Sequence, residues 1–302
     1  MYDIIGDIHG HADALELLLR KLGYENEKGY YSHPERKVIF VGDFIDRGPK
    51  IRETLSIVKR MVDENSAKAI MGNHEYNALC YYTELPDGKF LRPRNNKNDN
   101  QMKETIEQFK DFEEERKYYF GWFRTLPLHL DLGNLRIVHA CWDDDNINHI
   151  RNNKIEFTDE FLIELFNDKK SNLYKSIDET LKGKEYKIPG RNSFMDKDGF
   201  ERSISRIRWW LDPAESKYEE YYFEEIEELE GMTVDLNIIK SEKFYSKNEV
   251  PVIFGHYWFQ GNPEIVRKNA VCVDYSVAKG GKLVAYIWNG EQELVNENFV
   301  WV

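Results

Sequence analysis

The sequence predicts an α/β fold, and three observations support this prediction. Short runs rich in Ile and Val recur along the chain, several of them end in a cluster of polar residues, and helical patterns follow the first two. Runs of four or five such residues are typical of buried strands, and strands that alternate with helices indicate an α/β sheet. Because open α/β sheets place their sites beyond the carboxyl ends of strands, the polar clusters are candidate functional residues.

Five apolar runs are predicted to be strands, and a polar motif follows each of them. They are Tyr2–Ile5 before GDIHG, Lys37–Val41 before GDFIDRG, Lys68–Met71 before GNHE, Leu135–Val138 before His139, and Val250–Phe254 before His256. Apolar residues at three- and four-residue spacing predict amphipathic helices at Ala12–Leu22 and Lys50–Val62. Strand patterns return near the end of the chain, at Ala270–Tyr275, Leu283–Trp288 and Glu293–Val300.

Two stretches differ from these patterns in their composition. Residues 86–117 are polar and charged, which predicts a loop that leads into a solvated helix. Residues 143–248 are rich in Lys, Glu and Asn and contain the acidic run Tyr218–Glu230. We predict a surface helix for this run, with a partner-binding face as the alternative. The chain is therefore predicted to be one catalytic domain, residues 1–302, with a helical, charged insertion at about 143–248.

Composition excludes several classes of protein. The chain of 302 residues has a formal net charge of −12, which argues against a broad basic surface for a nucleic acid scaffold or an anionic membrane. Its three cysteines form no CxxC pair, so we expect neither a disulfide framework nor a zinc ribbon, but a reducing compartment. Without a signal-peptide pattern or an apolar run of about 20 residues, the sequence predicts a cytoplasmic location.

The polar residues after the predicted strands are of the types that bind metal ions. Asp7 and His9 are two positions apart, so both side chains point to the same side of an extended backbone. Further candidates follow the other strands, at Asp43, Asn73, His74, His139 and His256. Each residue alone could be a core histidine or a turn residue. Their recurrence at five successive strand ends instead favours a centre for manganese, iron or zinc rather than calcium or copper(I).

These motifs closely resemble those of a known family. GDIHG, GDFIDRG and GNHE, followed by separate His139 and His256, are similar to the motifs of the calcineurin-like metallophosphoesterases. The DRG variant resembles the branch that holds serine/threonine phosphoprotein phosphatases and symmetrical diadenosine tetraphosphate hydrolases. The stretch VCVDYSVAKGGKLVAY is similar to bacterial and phage members, and it lacks the Ser-Ala-Pro-Asn-Tyr-Cys signature of the eukaryotic enzymes. The resemblance implies a sandwich of two mixed β-sheets flanked by helices, with a dinuclear metal site at the carboxyl ends of strands.

The resemblance also implies a set of metal ligands. Two divalent ions, manganese first with iron or zinc as alternatives, would hold a shared hydroxide for in-line attack on phosphorus. One ion would be bound by Asp7 and His9, and Asp43 would bridge both. The ligands that complete the second site would be Asn73, His139 and His256.

Catalytic and phosphate-binding roles follow from the same resemblance. His74 would protonate the leaving oxygen, and Asp46 would orient His74 and support its positive charge. Arg47 would hold two phosphate oxygens in a fork that lysine cannot copy, and Asn73 would also contact the phosphate.

A second phosphate-binding arginine is expected within the insertion. The segment SRIRWWLDP offers Arg206 and Arg208, and we favour Arg208 because RWWLDP resembles the Leu-Trp-Ser-Asp-Pro neighbourhood of the phosphoprotein phosphatases. A surface arginine is the alternative reading of Arg208, and Arg191 is a third candidate.

The predicted function is metal-dependent hydrolysis of a phosphoric ester or anhydride. The resemblance to bacterial members favours a dinucleoside polyphosphate or small nucleotide as the substrate, and a phosphoprotein is the alternative. An inactive phosphate-binding module is a third hypothesis, from a different functional class. The intact ligand set argues against it, because a relative that has lost its chemistry usually lacks a ligand or the acid.

Overall fold

Strands and helices alternate at the start of the chain, as predicted. A computed structural model describes residues 1–190, 193–195, 201–239 and 244–302. Its strands are β1 (Tyr2–Ile5), β2 (Lys37–Phe40), β3 (Ala67–Ala69), β4 (His129–Asp131), β5 (Arg136–Val138), β6 (Glu185–Lys187), β7 (Phe194–Met195), β8 (Glu201–Arg202), β9 (Ile204–Arg206), β10 (Val252–Phe254), β11 (Ala270–Cys272), β12 (Asp274–Tyr275), β13 (Lys282–Trp288) and β14 (Phe299–Trp301). Its helices are α1 (Ala12–Lys21), α2 (Ile51–Asp63), α3 (Asn73–Tyr82), α4 (Asn96–Phe109), α5 (Glu113–Phe123), α6 (Asp144–Asn152), α7 (Asp159–Asn167), α8 (Asn172–Lys182), α9 (Tyr218–Tyr221) and α10 (Leu236–Ile239).

Two mixed sheets confirm the predicted sandwich. The larger sheet has the strand order β12-β13-β1-β2-β3, and β14 pairs with β13. Strands β1, β2 and β3 are parallel, whereas β13 is antiparallel to β1. The second sheet has the order β11-β10-β5-β4, in which β10 is parallel to both neighbours and β4 is antiparallel to β5. The parallel strands of both sheets are those that precede the polar motifs.

Buried side chains define the layers around the two sheets. Ile4 of the larger sheet and Ile137 of the second belong to one buried cluster, so the sheets pack face to face. On the other side of the larger sheet, Phe40 shares a cluster with Leu18 of α1. Phe254 on the far side of the second sheet packs against aromatic residues of the insertion. The metal motifs therefore lie at an edge shared by two sheets that helices and the insertion cover.

Two elements differ from their predictions at the level of local structure. The strand predicted at Glu293–Val300 is wrong, because only β14 is extended and Asn296–Asn298 forms a 3-10 turn. The backbone N–H of Leu294 donates to the carbonyl of Lys268 at 2.6 Å, which fixes the chain outside the sheet ladder. Residues 86–117 contain α4 and the start of α5, and Phe109 of α4 is buried rather than solvated.

The acidic run Tyr218–Glu230 is not the predicted surface helix. Helix α9 ends at Tyr221, and after it Phe223 donates its N–H to the carbonyl of Arg206 at 2.8 Å. Tyr218 and Tyr222 are 2% and 1% exposed, so the run contributes aromatic side chains to the core. The residues after α9 form backbone hydrogen bonds with the segment at the end of β9. These bonds satisfy N–H and C=O groups that would pair within the helix if α9 were longer. Among the described residues, no helix combines the length and the apolar character needed to cross a bilayer.

We predict that Phe254→Ala lowers the free energy of unfolding by about 3–5 kcal/mol, because it opens a cavity between the second sheet and the insertion. The Phe254 ring lies 5.1 Å from the Trp209 ring and 4.9 Å from the Trp210 ring, measured between centroids. Urea titration measures the change, with the exposed Leu17→Ala on α1 as the control. One cooperative transition is expected, as the predicted single domain requires. A loss below about 1 kcal/mol would contradict this packing role.

Candidate metal centre

Most of the predicted ligands meet at one cleft. Asp7 follows β1, Asp43 follows β2, Asn73 opens α3 after β3, His139 follows β5 and His256 follows β10. The cleft has a volume of about 700 Å³. Its lining includes Asp7, His9, Asp43, Arg47, Asn73, His74, Arg206, His256 and Asp274. The chain thus brings the candidates together because parallel strands of both sheets end at the same edge.

Asp43 lies between two groups of imidazoles. Its Oδ2 is 3.6 Å from His9 Nε2 and 3.9 Å from His74 Nε2, while its Oδ1 is 3.5 Å from His139 Nε2. Ligand atoms of His9, Asp43 and His74 lie within 4.8 Å of one another, and so do those of Asp43, His139 and His256. A single carboxylate shared by two groups of ligand atoms is the arrangement that two neighbouring cations need.

Hydrogen bonds orient the imidazoles toward the cleft. His9 Nδ1 donates to the carbonyl of Ile45 at 2.8 Å, and His139 Nδ1 donates to the carbonyl of Val41 at 2.8 Å. Each ring therefore keeps the lone pair of Nε2 for the interior of the site. His256 Nε2 is buried without a hydrogen-bond partner in the described part of the chain. These unshared nitrogen lone pairs beside carboxylates fit a divalent cation.

Electrostatics inside the cleft favour the same assignment. Burial raises the pKa of Asp7, and the charges of Asp274 and Asp43 raise it further. Burial lowers the pKa of His9 and of His256, which favours the neutral form that a metal ligand needs. The pKa of Asp43 is below its ordinary value, since the neighbouring imidazoles outweigh the effect of burial. Buried carboxylates that repel one another are stabilised by cations placed among them.

The backbone is strained at the turns that carry these side chains. Positive φ angles occur at His9 (46°), Asp43 (54°), Asp46 (68°), Arg47 (67°) and His256 (67°). Non-glycine residues rarely adopt this conformation, and each costs on the order of 1–3 kcal/mol. At each of these turns the backbone therefore changes direction sharply, which keeps the polar side chain over the cleft.

Glu75 is a structural residue of the site that sequence reasoning missed. Its Oε2 accepts the backbone N–H groups of Asp43 at 2.8 Å and Gly72 at 3.0 Å, and its Oε1 accepts that of Phe44 at 2.8 Å. Burial, and then the charge of Asp43, raise the pKa of Glu75 to about 8, although the three donors oppose the shift. A Cβ at Gly72 would lie 2.2 Å from Asp43 Oδ1, so glycine is required there. A glutamate at the third position of a helix, as in GNHE, is the available sequence signal.

His74 and Asp46 form a pair beside the ligand groups. His74 Nδ1 lies 2.6 Å from Asp46 Oδ2, and both side chains are buried. Thr105 of α4 donates its hydroxyl to Asp46 Oδ1 and accepts the Asp46 backbone N–H at 3.1 Å. Arg47 Nη2 is 3.4 Å from His74 Nε2. The imidazole is thus fixed on one side by a carboxylate and directs its other nitrogen toward the phosphate-binding candidate.

The two candidate arginines of the insertion lie in different places, and Arg206 rather than the favoured Arg208 lines the metal cleft. Arg208 lies outside the metal cleft, where its Nη1 donates to the carbonyls of Glu219 at 3.1 Å and Glu220 at 2.6 Å. Arg206, at the end of β9, lines the metal cleft, and its Nε and Nη1 are buried without hydrogen-bond partners among the described residues. The two tryptophans of RWWLDP are core residues. Arg191 lies outside the described residues.

Asp274 is a further acidic residue that the sequence analysis did not assign. It is buried, it lines the cleft, and its Oδ1 accepts the backbone N–H of Ser276 at 3.0 Å. Burial raises its pKa, and the charge of Asp43 adds to the shift. A single aspartate within the apolar run VCVDYS was the available signal. Asp274 therefore adds a third carboxylate, besides Asp7 and Asp43, to the negative charge of the site.

The family model described as calcineurin-like phosphoesterase matches residues 2–257. The chain belongs to this family. Calcineurin-like phosphoesterases use divalent metal ions, and this member has two groups of candidate ligand atoms that share Asp43. The family resemblance stated from the motifs is thereby confirmed.

Relatives of this calcineurin-like phosphoesterase include proteins named bis(5'-nucleosyl)-tetraphosphatase PrpE (asymmetrical). The one from Geobacillus sp. (strain WCH70) is 36% identical over 160 residues, which are 50% of this chain and 61% of that protein. The one from Halalkalibacterium halodurans is 37% identical over 154 residues, which are 48% of this chain and 59% of that protein. The matches thus cover about three fifths of the length of these curated relatives.

Solved structures share the fold of this calcineurin-like phosphoesterase. A cold-active protein tyrosine phosphatase has a TM-score of 0.51 at 16% identity, covering 98% of this chain and 79% of that one. A protein serine/threonine phosphatase from Saccharomyces cerevisiae has a TM-score of 0.50 at 14% identity, covering 100% of this chain and 78% of that one. At these identities the likeness describes the fold alone.

We predict that Asp43→Asn reduces the content of both metals, because the neutral amide no longer offsets the repulsion between two cations. His256→Asn should reduce one metal equivalent, since His256 belongs to a single ligand group. Elemental mass spectrometry of protein dialysed against manganese measures both values, with the exposed Asp13→Asn as the matched control. Retention of two equivalents by Asp43→Asn would show that this residue is not a bridge.

Proposed function

We propose that this chain is a hydrolase that cleaves a phosphoric anhydride of a dinucleoside polyphosphate or small nucleotide. The observation that carries the proposal is the sharing of Asp43 by two groups of potential ligand atoms, one of which includes His74, the partner of Asp46. The name bis(5'-nucleosyl)-tetraphosphatase of the relatives supports the substrate class. Two divalent ions, manganese first and iron or zinc as alternatives, would be held by Asp7, His9, Asp43, Asn73, His139 and His256.

Each bound ion would supply Lewis acidity and an activated water to the reaction. Arg47 and Arg206 both line the cleft and would bind the phosphate oxygens, Arg206 with Nε and Nη1 groups that have no partner in the described structure. A guanidinium contacts two oxygens at once, so two arginines can orient a phosphoryl group for in-line displacement. Asn73 Oδ1 lies 3.0 Å from His139 Nε2, which supports a shared metal, and its amide NH₂ would contact the phosphate.

His74 would deliver the proton that the leaving oxygen needs. Asp46 binds its Nδ1, which leaves Nε2 as the nitrogen that faces the cleft. The Asp46 carboxylate orients the imidazole, and Thr105 holds Asp46 in place. The proposed acid, His74, is at the start of α3, and Arg47 is in the turn after β2. The two side chains are close enough to act on the same bond.

A substrate screen with manganese tests the proposed function directly. The protein should hydrolyse diadenosine tetraphosphate faster than a phosphoserine peptide, and chelation should stop both reactions. Chromatography of the products distinguishes cleavage at the central anhydride, which yields two diphosphates, from cleavage beside a terminal phosphate, which yields a monophosphate and a triphosphate. The motifs resemble symmetrical hydrolases and the relatives are named asymmetrical, so this product ratio also decides between them. Preference for the phosphopeptide would favour the phosphoprotein phosphatase alternative, and hydrolysis of neither substrate would favour an inactive module.

We predict that His74→Asn slows turnover of an alkyl phosphate by about 10²–10⁴-fold while both metals stay bound. The loss should be smaller with p-nitrophenyl phosphate, because its leaving oxygen needs less protonation. Asp46→Asn should show the same dependence on the leaving group in weaker form. Rates on the two substrates and metal content together test the assignment. Equal losses on both substrates, or the loss of one metal equivalent, would mean that His74 is not the general acid.

We predict that Arg206→Met lowers kcat/KM by about 10–100-fold, through the loss of a charged contact with the substrate phosphate. Arg208→Met is the matched control, and its kcat/KM should stay near the wild-type value because this side chain binds backbone carbonyls outside the cleft. Steady-state kinetics below the unfolding temperature of both variants gives the comparison. A larger effect of Arg208→Met than of Arg206→Met would restore the prediction made from the sequence.

A further inference from the structure

A second, smaller cavity lies between α3, the loop that leads into α4, and helices α7 and α8. Its volume is about 210 Å³, against about 700 Å³ for the metal cleft. Three basic side chains line it, together with aromatic hydroxyls and an amide: Arg92, Lys169, Lys182, Tyr76, Tyr174 and Asn98. None of these residues belongs to the metal centre or its catalytic groups.

The charge of this cavity is opposite to that of the metal cleft. Among the described residues that line it, three are cationic and none is a carboxylate. Lys182 forms an i,i+4 ion pair with Asp178, which is not among the lining residues. Positive charge is concentrated here although the net charge of the chain is −12. Because like charges repel one another, a bound anion would stabilise this cluster.

Two of the cations have unused binding capacity. Arg92 is half-buried and donates Nη2 to Gln101 Oε1 at 2.5 Å, but its buried Nε has no hydrogen-bond partner in the part of the chain that the structure describes. The Lys169 ammonium lies 4.1 Å from the centre of the Phe166 ring, and within the described ranges it pairs with no carboxylate. A buried donor without an acceptor is costly, and an anion in the cavity would satisfy it.

We propose that this cavity binds a small multivalent oxyanion of the phosphate type. Its volume is below the roughly 300–1,000 Å³ of sites for drug-sized ligands, which excludes a nucleotide. A guanidinium and two ammonium groups supply the charge, and the hydroxyls of Tyr76 and Tyr174 and the Asn98 amide can complete the donors. The Cys80 thiol in the wall stays neutral, because burial raises its pKa to about 12, so it does not oppose an anion.

Equilibrium dialysis of the manganese-loaded full chain against radiolabelled inorganic phosphate, at constant ionic strength, tests the proposal. The wild type should bind one phosphate per chain more than the double variant Lys169→Met, Lys182→Met. Lys169→Met alone, at an exposed position that tolerates methionine, should weaken that site about tenfold through the loss of one charged contact. Lys175→Met is the control, because this exposed lysine is on α8 outside the cavity. Identical isotherms for the wild type and the Lys169 variants would overturn the proposal, as would an equal loss in Lys175→Met.

Two further binding measurements distinguish phosphate bound in this cavity from phosphate bound in the metal cleft, and they identify the class of ligand. Arg47→Met, which alters only the cleft, should leave the Lys169-dependent phosphate bound, and its disappearance there would overturn a separate site. Sulfate should compete with phosphate at this cavity, and acetate should compete far less, because it carries a single charge. Equal competition by acetate would overturn the assignment to a phosphate-type oxyanion. Because none of these outcomes depends on hydrolysis, failure of the proposed function would be seen separately.

Discussion

Asp43 is buried among the imidazoles of His9, His74 and His139, and the elements around the cleft are built to keep its carboxylate there. The backbone N–H of His74 donates to Asp43 Oδ1 at 2.9 Å. The backbone N–H of Asp43 in turn donates to the carboxylate of Glu75. The turn after β2 and the start of α3 are therefore joined by carboxylates rather than by apolar packing. These hydrogen bonds link the positions of Asp43 and His74, so the proposed metal binding and proton transfer would depend on one scaffold.

Helix α4 holds the turn after β2 in place, although its polar sequence does not predict this contact. Thr105 holds Asp46, while the Gln108 side chain donates to the carbonyl of Gly48 at 3.0 Å and accepts the Ile51 N–H at 2.7 Å. These contacts fix the DRG turn on both sides, at residues whose backbone has positive φ angles. The strained turn persists because hydrogen bonds from a distant helix over-determine it. A surface-like helix is thus part of the catalytic framework.

What the sequence could predict is what local patterns determine. Strand-forming runs and the polar residues at their ends identified an α/β sheet and the residues that meet in the cleft, because period and position carry that information, whereas the sandwich was implied by the family resemblance. The position of Arg206 in the cleft and of Arg208 outside it could not be predicted, because it depends on how the chain after β9 pairs with the acidic run, a contact between distant residues. Glu75 and Thr105 were missed for a related reason. Although GNHE marks Glu75 as a residue of the helix start, the hydrogen bonds of Glu75 and Thr105 to other segments depend on tertiary structure.

The charges of the cleft bear on how an anionic substrate can enter it. Besides the buried aspartates, its lining includes Glu185, Glu224 and Glu225, together with Arg47 and Arg206. A polyphosphate approaching these carboxylates is repelled unless cations accompany it or already occupy the ligand groups. The metals would therefore contribute to substrate binding as well as to chemistry, since they reverse the sign of the field that the substrate meets.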